Sequence, residues 1–177
     1  MVEDVLGTDP LVALAREAVE TYVRDGAVIG PELPPGRWPE SAGVFVSLHL
    51  PDGSLRGCIG TFMPTRDTLA EEVVKNAISA ATRDPRFSPV RPGELENLNI
   101  SVDVLEAPEE VAGRDGLDPK RYGIIVRTDD GRQALLLPDL EGVDTVEQQV
   151  DITCHKGGID PMHDRYRIYR FEVTRHG

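Results

Sequence analysis

The chain has 177 residues, 31 acidic against 19 basic side chains, a formal net charge of -12 and only two cysteines. That length holds one domain, or two small lobes, with a real core and no need of disulfide staples. The acidic excess argues against nucleic acid, which requires a basic stripe to displace counterions, and against an anionic membrane surface. No apolar run of about 18 residues exists, so no membrane span is expected. The acidic start Met1-Val2-Glu3-Asp4 lacks a signal pattern, which leaves a cytoplasmic location as the expectation.

Leu11, Leu14, Ala15, Ala18, Val19, Tyr22 and Val23 recur at helical spacing, with Asp9-Pro10 as a start and Gly26 as a stop. Residues 30–39 hold four prolines and read as an extended arm. Val44, Val46, Leu48 and Leu50 alternate with Phe45, Ser47 and His49, and Asp52-Gly53 predicts a two-residue hairpin turn into a strand from Leu55 to Phe62. A second helix runs from Thr65 or Asp67 to Arg83 and ends at Asp84-Pro85. Leu98, Ile100, Val102 and Val104 predict a third strand, and residues 106–121 an acidic loop. Ile124–Val126 and Ala134–Leu137 form a second hairpin around Asp129-Asp130-Gly131. A third helix begins at Asp144 or Thr145 and ends near Gly157, and Arg165–Val173 is a final strand. Hairpins mixed with separate helices predict the α+β class, a largely antiparallel sheet with flanking helices.

With Asp52 and Gly53 as the turn, His49 faces Arg56, Leu48 faces Gly57 and Ser47 faces Cys58. Ser47, His49, Arg56 and Cys58 then share one strand face, and His49 and Cys58 are diagonal neighbours. A thiol beside an arginine and a histidine is a candidate thiolate nucleophile, which makes Cys58, His49 and Arg56 the catalytic candidates. Gly57 and Gly60 leave the backbone bare for a ligand, or serve a bulge or tight packing. Thr61 adds a hydroxyl on the opposite face. The competing reading makes Cys58 a small buried hydrophobe. Cys154 shares a helical stripe with Val146 and Val150 and reads as core. Neither cysteine belongs to a CxxC pair, and the spacing of His49, His155 and His163 sets up no metal site, so no metal or cofactor is expected. Asp129-Asp130-Gly131 is a hairpin turn, not a calcium loop.

The stretch Leu55-Arg56-Gly57-Cys58-Ile59-Gly60-Thr61-Phe62 resembles the signature of the AMMECR family. Asn76-Ala77-Ile78 through Arg83-Asp84-Pro85-Arg86-Phe87, Tyr122–Val126 with Leu135–Pro138, Thr153–Gly158 and Tyr169-Arg170-Phe171 are similar to further family segments. The resemblance covers nearly the whole chain, with a core at about residues 8–175. It implies a single α+β domain with a larger and a smaller lobe and an interlobe cleft beside the signature. It names no reaction. Bacterial and archaeal members often accompany a Memo-like protein and a radical SAM protein, the AmmeMemoRadiSam system, in which this chain would be the stand-alone first component. A small molecule or peptide in the cleft would meet Ser47, Gly57, Gly60, Thr61 and Arg86. Arg86 would clamp a carboxylate or phosphate, or simply pair with Asp84. Two functions follow: a non-catalytic module that holds a ligand and docks on those partners, or an enzyme with Cys58 as nucleophile or covalent carrier.

Overall fold

The computed structural model describes residues 7–177, so the Met1–Asp4 start lies outside the described residues. The elements follow in the order α1 (Pro10–Asp25), β1 (Gly43–His49), β2 (Leu55–Thr61), α2 (Leu69–Thr82), β3 (Asn99–Leu105), β4 (Glu109–Val111), β5 (Gly123–Thr128), β6 (Gln133–Leu136), α3 (Val146–Lys156), β7 (Tyr166–Phe171) and β8 (Val173–His176). They form two four-stranded sheets, of order β2-β1-β3-β8 and β4-β7-β5-β6. Pairs β1–β2, β4–β7, β5–β6 and β5–β7 are antiparallel. This is the α+β architecture that the alternation of hairpins and helices predicts.

The chain divides into two compact units, one of residues up to Val104 with Thr174–Gly177, the other Leu105–Val173. In the first, α1 starts where the Asp9 carboxylate accepts the Leu11 N–H at 2.8 Å, with Pro10 at the first helical position. It stops at Gly26, whose left-handed φ of 68° lets its N–H reach the Tyr22 carbonyl. The stripe Leu11, Leu14, Ala15, Ala18 and Val19 is buried in one core with Leu69, Val73 and Ala77 of α2 and Val44, Val46 and Leu48 of β1. In the second unit, α3 opens with a capping box between Thr145 and Gln148. Its Val150 and Cys154 pack on Ile124, Val126 and Ile168, so Cys154 is a core residue.

The first hairpin departs from the expected turn. Leu50 accepts the Gly53 N–H and donates to Ser54, so Pro51-Asp52-Gly53 is a three-residue loop with Gly53 at φ 85°. His49 therefore pairs with Leu55, not Arg56. A bulge then leaves Arg56 as the extra residue and restores Leu48 opposite Gly57 and Ser47 opposite Cys58. The β5–β6 hairpin has the same three-residue loop without the bulge, with Thr128 opposite Arg132 and Gly131 at φ 92°.

Two other expectations change. The acidic stretch 106–121 contains β4, because Glu109 stands opposite Arg170 and bonds its guanidinium at 2.7 Å across the ladder. The final strand is two: β7 ends at Phe171, and β8 carries the chain into the other sheet. The alternation of residues runs through the break unchanged, so nothing local marks it.

Gly57 packs its Cα against α2, and a Cβ there would stand 2.2 Å from the Ala80 carbonyl oxygen. Gly57→Ala is expected to cost about 2 kcal/mol or more by overpacking against rigid backbone. In a thermal melt that is a fall of about 4–8 °C. Gly53→Ala, which meets open space but keeps a positive φ, should cost about 1 kcal/mol. Equal melting of the two variants would exclude the contact with α2 as the cause.

Candidate functional site

The signature strand β2 lies on the outer edge of its sheet. An edge strand presents N–H and C=O groups that have no ladder partner. At Cys58 these groups are taken by the loop that follows α2. The Cys58 N–H donates to Asp84 Oδ2 at 2.9 Å, and the Cys58 carbonyl accepts from Arg86 Nη2 at 3.4 Å. Asp84 also accepts the Arg86 backbone N–H at 3.0 Å, and the Arg86 guanidinium through Nε at 3.0 Å and Nη2 at 2.8 Å. Asp84 is buried, and the bonds from Arg86, working against burial and joined by the Cys58 N–H, hold its carboxyl far below the usual carboxylate range. The Arg86 side chain remains 56% exposed, with its guanidinium carbon 5.6 Å from the Phe87 ring centre. Thus both readings of Asp84-Pro85-Arg86 meet in one group: the pair exists, and its arginine still faces outward.

The Cys58 thiol is half-buried and accepts a hydrogen bond from the Ser47 hydroxyl at 3.2 Å. Burial pushes its pKa up, against the Ser47 bond and the Arg86 charge, while Asp103 and Asp84 push it further up. Arg56 turns to Glu94, binding it at 2.9 and 3.2 Å through two nitrogens, and its guanidinium lies 6.0 Å from the Phe87 ring. Arg56 and Arg86 thus share one aromatic ring. His49 makes no bond to Cys58 among the described residues; it lines a separate groove of about 500 Å³ with Asp9, Arg16, Asn99 and Ser101. The structure therefore brings Ser47 and Arg86 to Cys58 but engages Arg56 and His49 elsewhere.

The two glycines are covered from within the chain. Gly57 meets the Ala80 carbonyl of α2, and the Phe45 ring lies over Gly60, where a Cβ would be 2.2 Å from it. The Thr61 hydroxyl points to the other face, where it donates to Glu72 and accepts from Asn76 Nδ2 at 3.1 Å. Glu72 is fully buried, with no ion pair to any described residue. Burial raises its pKa, but bonds from the Thr61 and Thr65 hydroxyls and the Thr65 and Arg66 N–H groups outweigh that and hold the group ionised. Asn76 also donates to the Val44 carbonyl at 3.0 Å, so α2 grips both strands of the hairpin. Asp84 joins the site as the partner of Arg86 that the sequence offered, and Phe87, Glu94, Glu72 and Asn76 join beyond the candidates of the sequence. Glu72 and Asn76 had a signal, two polar residues at i and i+4 beside an apolar helix stripe. His155 is exposed on the last turn of α3, and His163 pairs with Asp160 at 2.8 Å. Among the described residues no three His, Cys, Asp or Glu side chains cluster as metal ligands. No helix among them is long and apolar enough to cross a membrane.

Comparisons with known proteins match this chain over nearly its whole length. The AMMECR1 family model matches residues 12–176, and the chain belongs to that family. A Thermotoga maritima protein is 51% identical over 174 residues, covering 97% of this chain and 99% of its own. A Clostridium acetobutylicum protein is 49% identical over 172 residues; the match covers 95% of this chain but only 36% of that protein. The crystal structure of an uncharacterised protein from Pyrococcus horikoshii superposes with a TM-score of 0.83 at 37% identity, covering 93% of this chain and 88% of that one.

Two measurements check this geometry. The folded-state pKa of Asp84 lies below its ordinary value of 3.8, so its contribution to stability is complete above that value and is lost as pH falls below it. Asp84→Asn should cost about 1–2 kcal/mol near pH 7, a figure reduced for the exposure of Arg86. The gap to the parent chain in urea unfolding should narrow below pH 4; a gap constant down to pH 2 would show that the charge is not its source. The thiol gives the second measurement. At pH 7.5 iodoacetamide should modify Cys58 more slowly than a free-thiol peptide, with the modified residue identified by mass spectrometry. A faster reaction than the peptide's would mean a thiolate.

Proposed function

We propose that this member of the AMMECR1 family is a binding module, not a cysteine enzyme. Its Leu55–Thr61 signature is the surface that receives a small molecule or peptide, and the chain acts in the cytoplasm beside Memo-like and radical SAM partners. The observation that carries this reading is how the polar groups around Cys58 are used. Asp84 and Arg86 hold the main chain, Glu94 holds Arg56, and the thiol is kept protonated. A nucleophilic cysteine needs a base or a cation that lowers its pKa, and the net effect here runs the other way. What the site offers outward is the half-exposed guanidinium of Arg86, held by Asp84 on the Phe87 ring. Such a surface recognises planar anionic groups, carboxylates above all.

The partner reading has separate support. In the Clostridium relative the matched residues are about a third of the protein, so a homologous module there is joined to further chain. The two free cysteines suit a reducing compartment. Co-expression with a Memo-like and a radical SAM protein from one genome, followed by size-exclusion chromatography, tests the proposal. Co-elution is expected for the parent chain and for Cys58→Ser, with the partners' joint reaction retained in both. Separate elution would remove the partner reading. Intact co-elution with the reaction abolished in Cys58→Ser would make the thiol a catalytic group.

A further inference from the structure

Helix α2 carries two working faces. Glu72, Asn76 and Ala80 face the signature hairpin, as described above. Lys75, Ser79 and Arg83 lie one position away on the helix surface and line a different feature, a groove of about 630 Å³ between α1, α2 and the residues after α1. This volume is in the range of small-molecule sites.

The walls differ in chemistry. One side is apolar, built from Tyr22, Val28, Ile29 and Pro31 against Val74 and Ile78 of the helix. Val28 is 65% exposed, unusual for a branched aliphatic side chain. The other side is a line of donors. Lys75, Ser79 and Arg83, at i, i+4 and i+8, share a helix face and extend about 12 Å along it. The Lys75 ammonium donates to the Thr65 hydroxyl at 3.0 Å, and among the described residues it meets no carboxylate, while the Arg83 guanidinium and Ser79 hydroxyl bond none of them. Arg66 adds a further cation without an ion pair among the described residues. Asp67 and Glu71, the acidic residues of the groove, stand at the start of α2, where the helix dipole favours them. Lys75 and Arg66 lie near them, and Arg83 leaves the other end of the groove cationic on a chain of net charge -12.

The geometry points to a second binding site on this outer side of α2, for a small amphiphilic anion. Its apolar body lies along Val28, Ile29 and Pro31, and its carboxylate or sulfonate head meets Lys75, Ser79 and Arg83. A bare inorganic anion would waste the apolar wall, and a purely apolar ligand would leave the donors desolvated and unpaired. The charge asymmetry selects the amphiphile over both.

The probes are 8-anilinonaphthalene-1-sulfonate, whose fluorescence rises in an apolar site, and decanoate. Saturable binding of the dye at one site per chain is expected, with displacement by decanoate and none by inorganic phosphate. Lys75→Ala with Arg83→Ala should raise the dye's dissociation constant about tenfold or more, the loss expected for charge-assisted bonds. Val28→Asp, at an exposed position, should weaken it through the opposite wall. Unchanged melting temperatures would show that these variants remain folded. Equal binding by parent and variants, or displacement by phosphate, would overturn the proposal. So would binding of an acidic helical peptide in place of the dye and decanoate, which would make the groove a docking surface for protein. None of these readouts involves Cys58 or Arg86, so failure here is distinct from failure of the signature as a binding surface.

Discussion

Cys58 stands on the edge of a sheet, where its N–H and carbonyl face no neighbouring strand, and the Asp84–Arg86 pair takes the place of that strand. The carboxylate accepts and the guanidinium donates, which is what a ladder partner would do. The substitution has two consequences. It closes an edge that would otherwise invite pairing with another chain. It also fixes β2 relative to the end of α2, since Asp84 follows that helix by two residues. Gly57 permits the same approach from the other side, because only a residue without a Cβ lets the Ala80 carbonyl come so close. The signature and the Asp-Pro-Arg segment are thus one structural unit, distant in sequence and bonded in space.

The chemistry of the site follows from that bonding. Residues that look available for catalysis in a list are largely committed. Arg56 answers Glu94, Thr61 bridges Glu72 and Asn76, and Ser47 donates to the thiol. The buried Glu72 shows how far the arrangement is preorganised, since a carboxylate with no ion pair to any described residue stays ionised on hydroxyl and backbone donors. Beside these committed groups the Arg86 side chain remains more than half exposed.

Much of this was legible in the residues. Asp9-Pro10 and Gly26 bound the first helix, Asp84-Pro85 stops the second, and the alternation in β1 marks which side chains enter the core. These signals are local, so they survive without knowledge of neighbours. The pairing of Ser47 with Cys58 also emerges from the turn, although by a compensation: a three-residue loop shifts the register by one, and the bulge at Arg56 shifts it back. Turn composition alone does not separate a two-residue from a three-residue loop when both end in Asp-Gly, because the choice depends on the ladder beyond. The bulge also explains why Arg56 and His49 part company. The strand hidden in the acidic stretch, β4, depends on Arg170, far along the chain, to neutralise Glu109.

The sequence by itself determined the class, the helices, the two hairpins, the buried place of Cys154 and the family to which the signature belongs, because each rests on periodicity, capping or a contiguous motif. The tertiary structure decided what the composition leaves open. For Cys58 the sequence leaves a reactive thiol and a buried hydrophobe both open, and the fold leaves it half-buried on an edge strand. The net charge of -12 likewise conceals the cationic end of a groove on α2. Both distinctions depend on which side chains converge across loops, and convergence is a property of the folded chain.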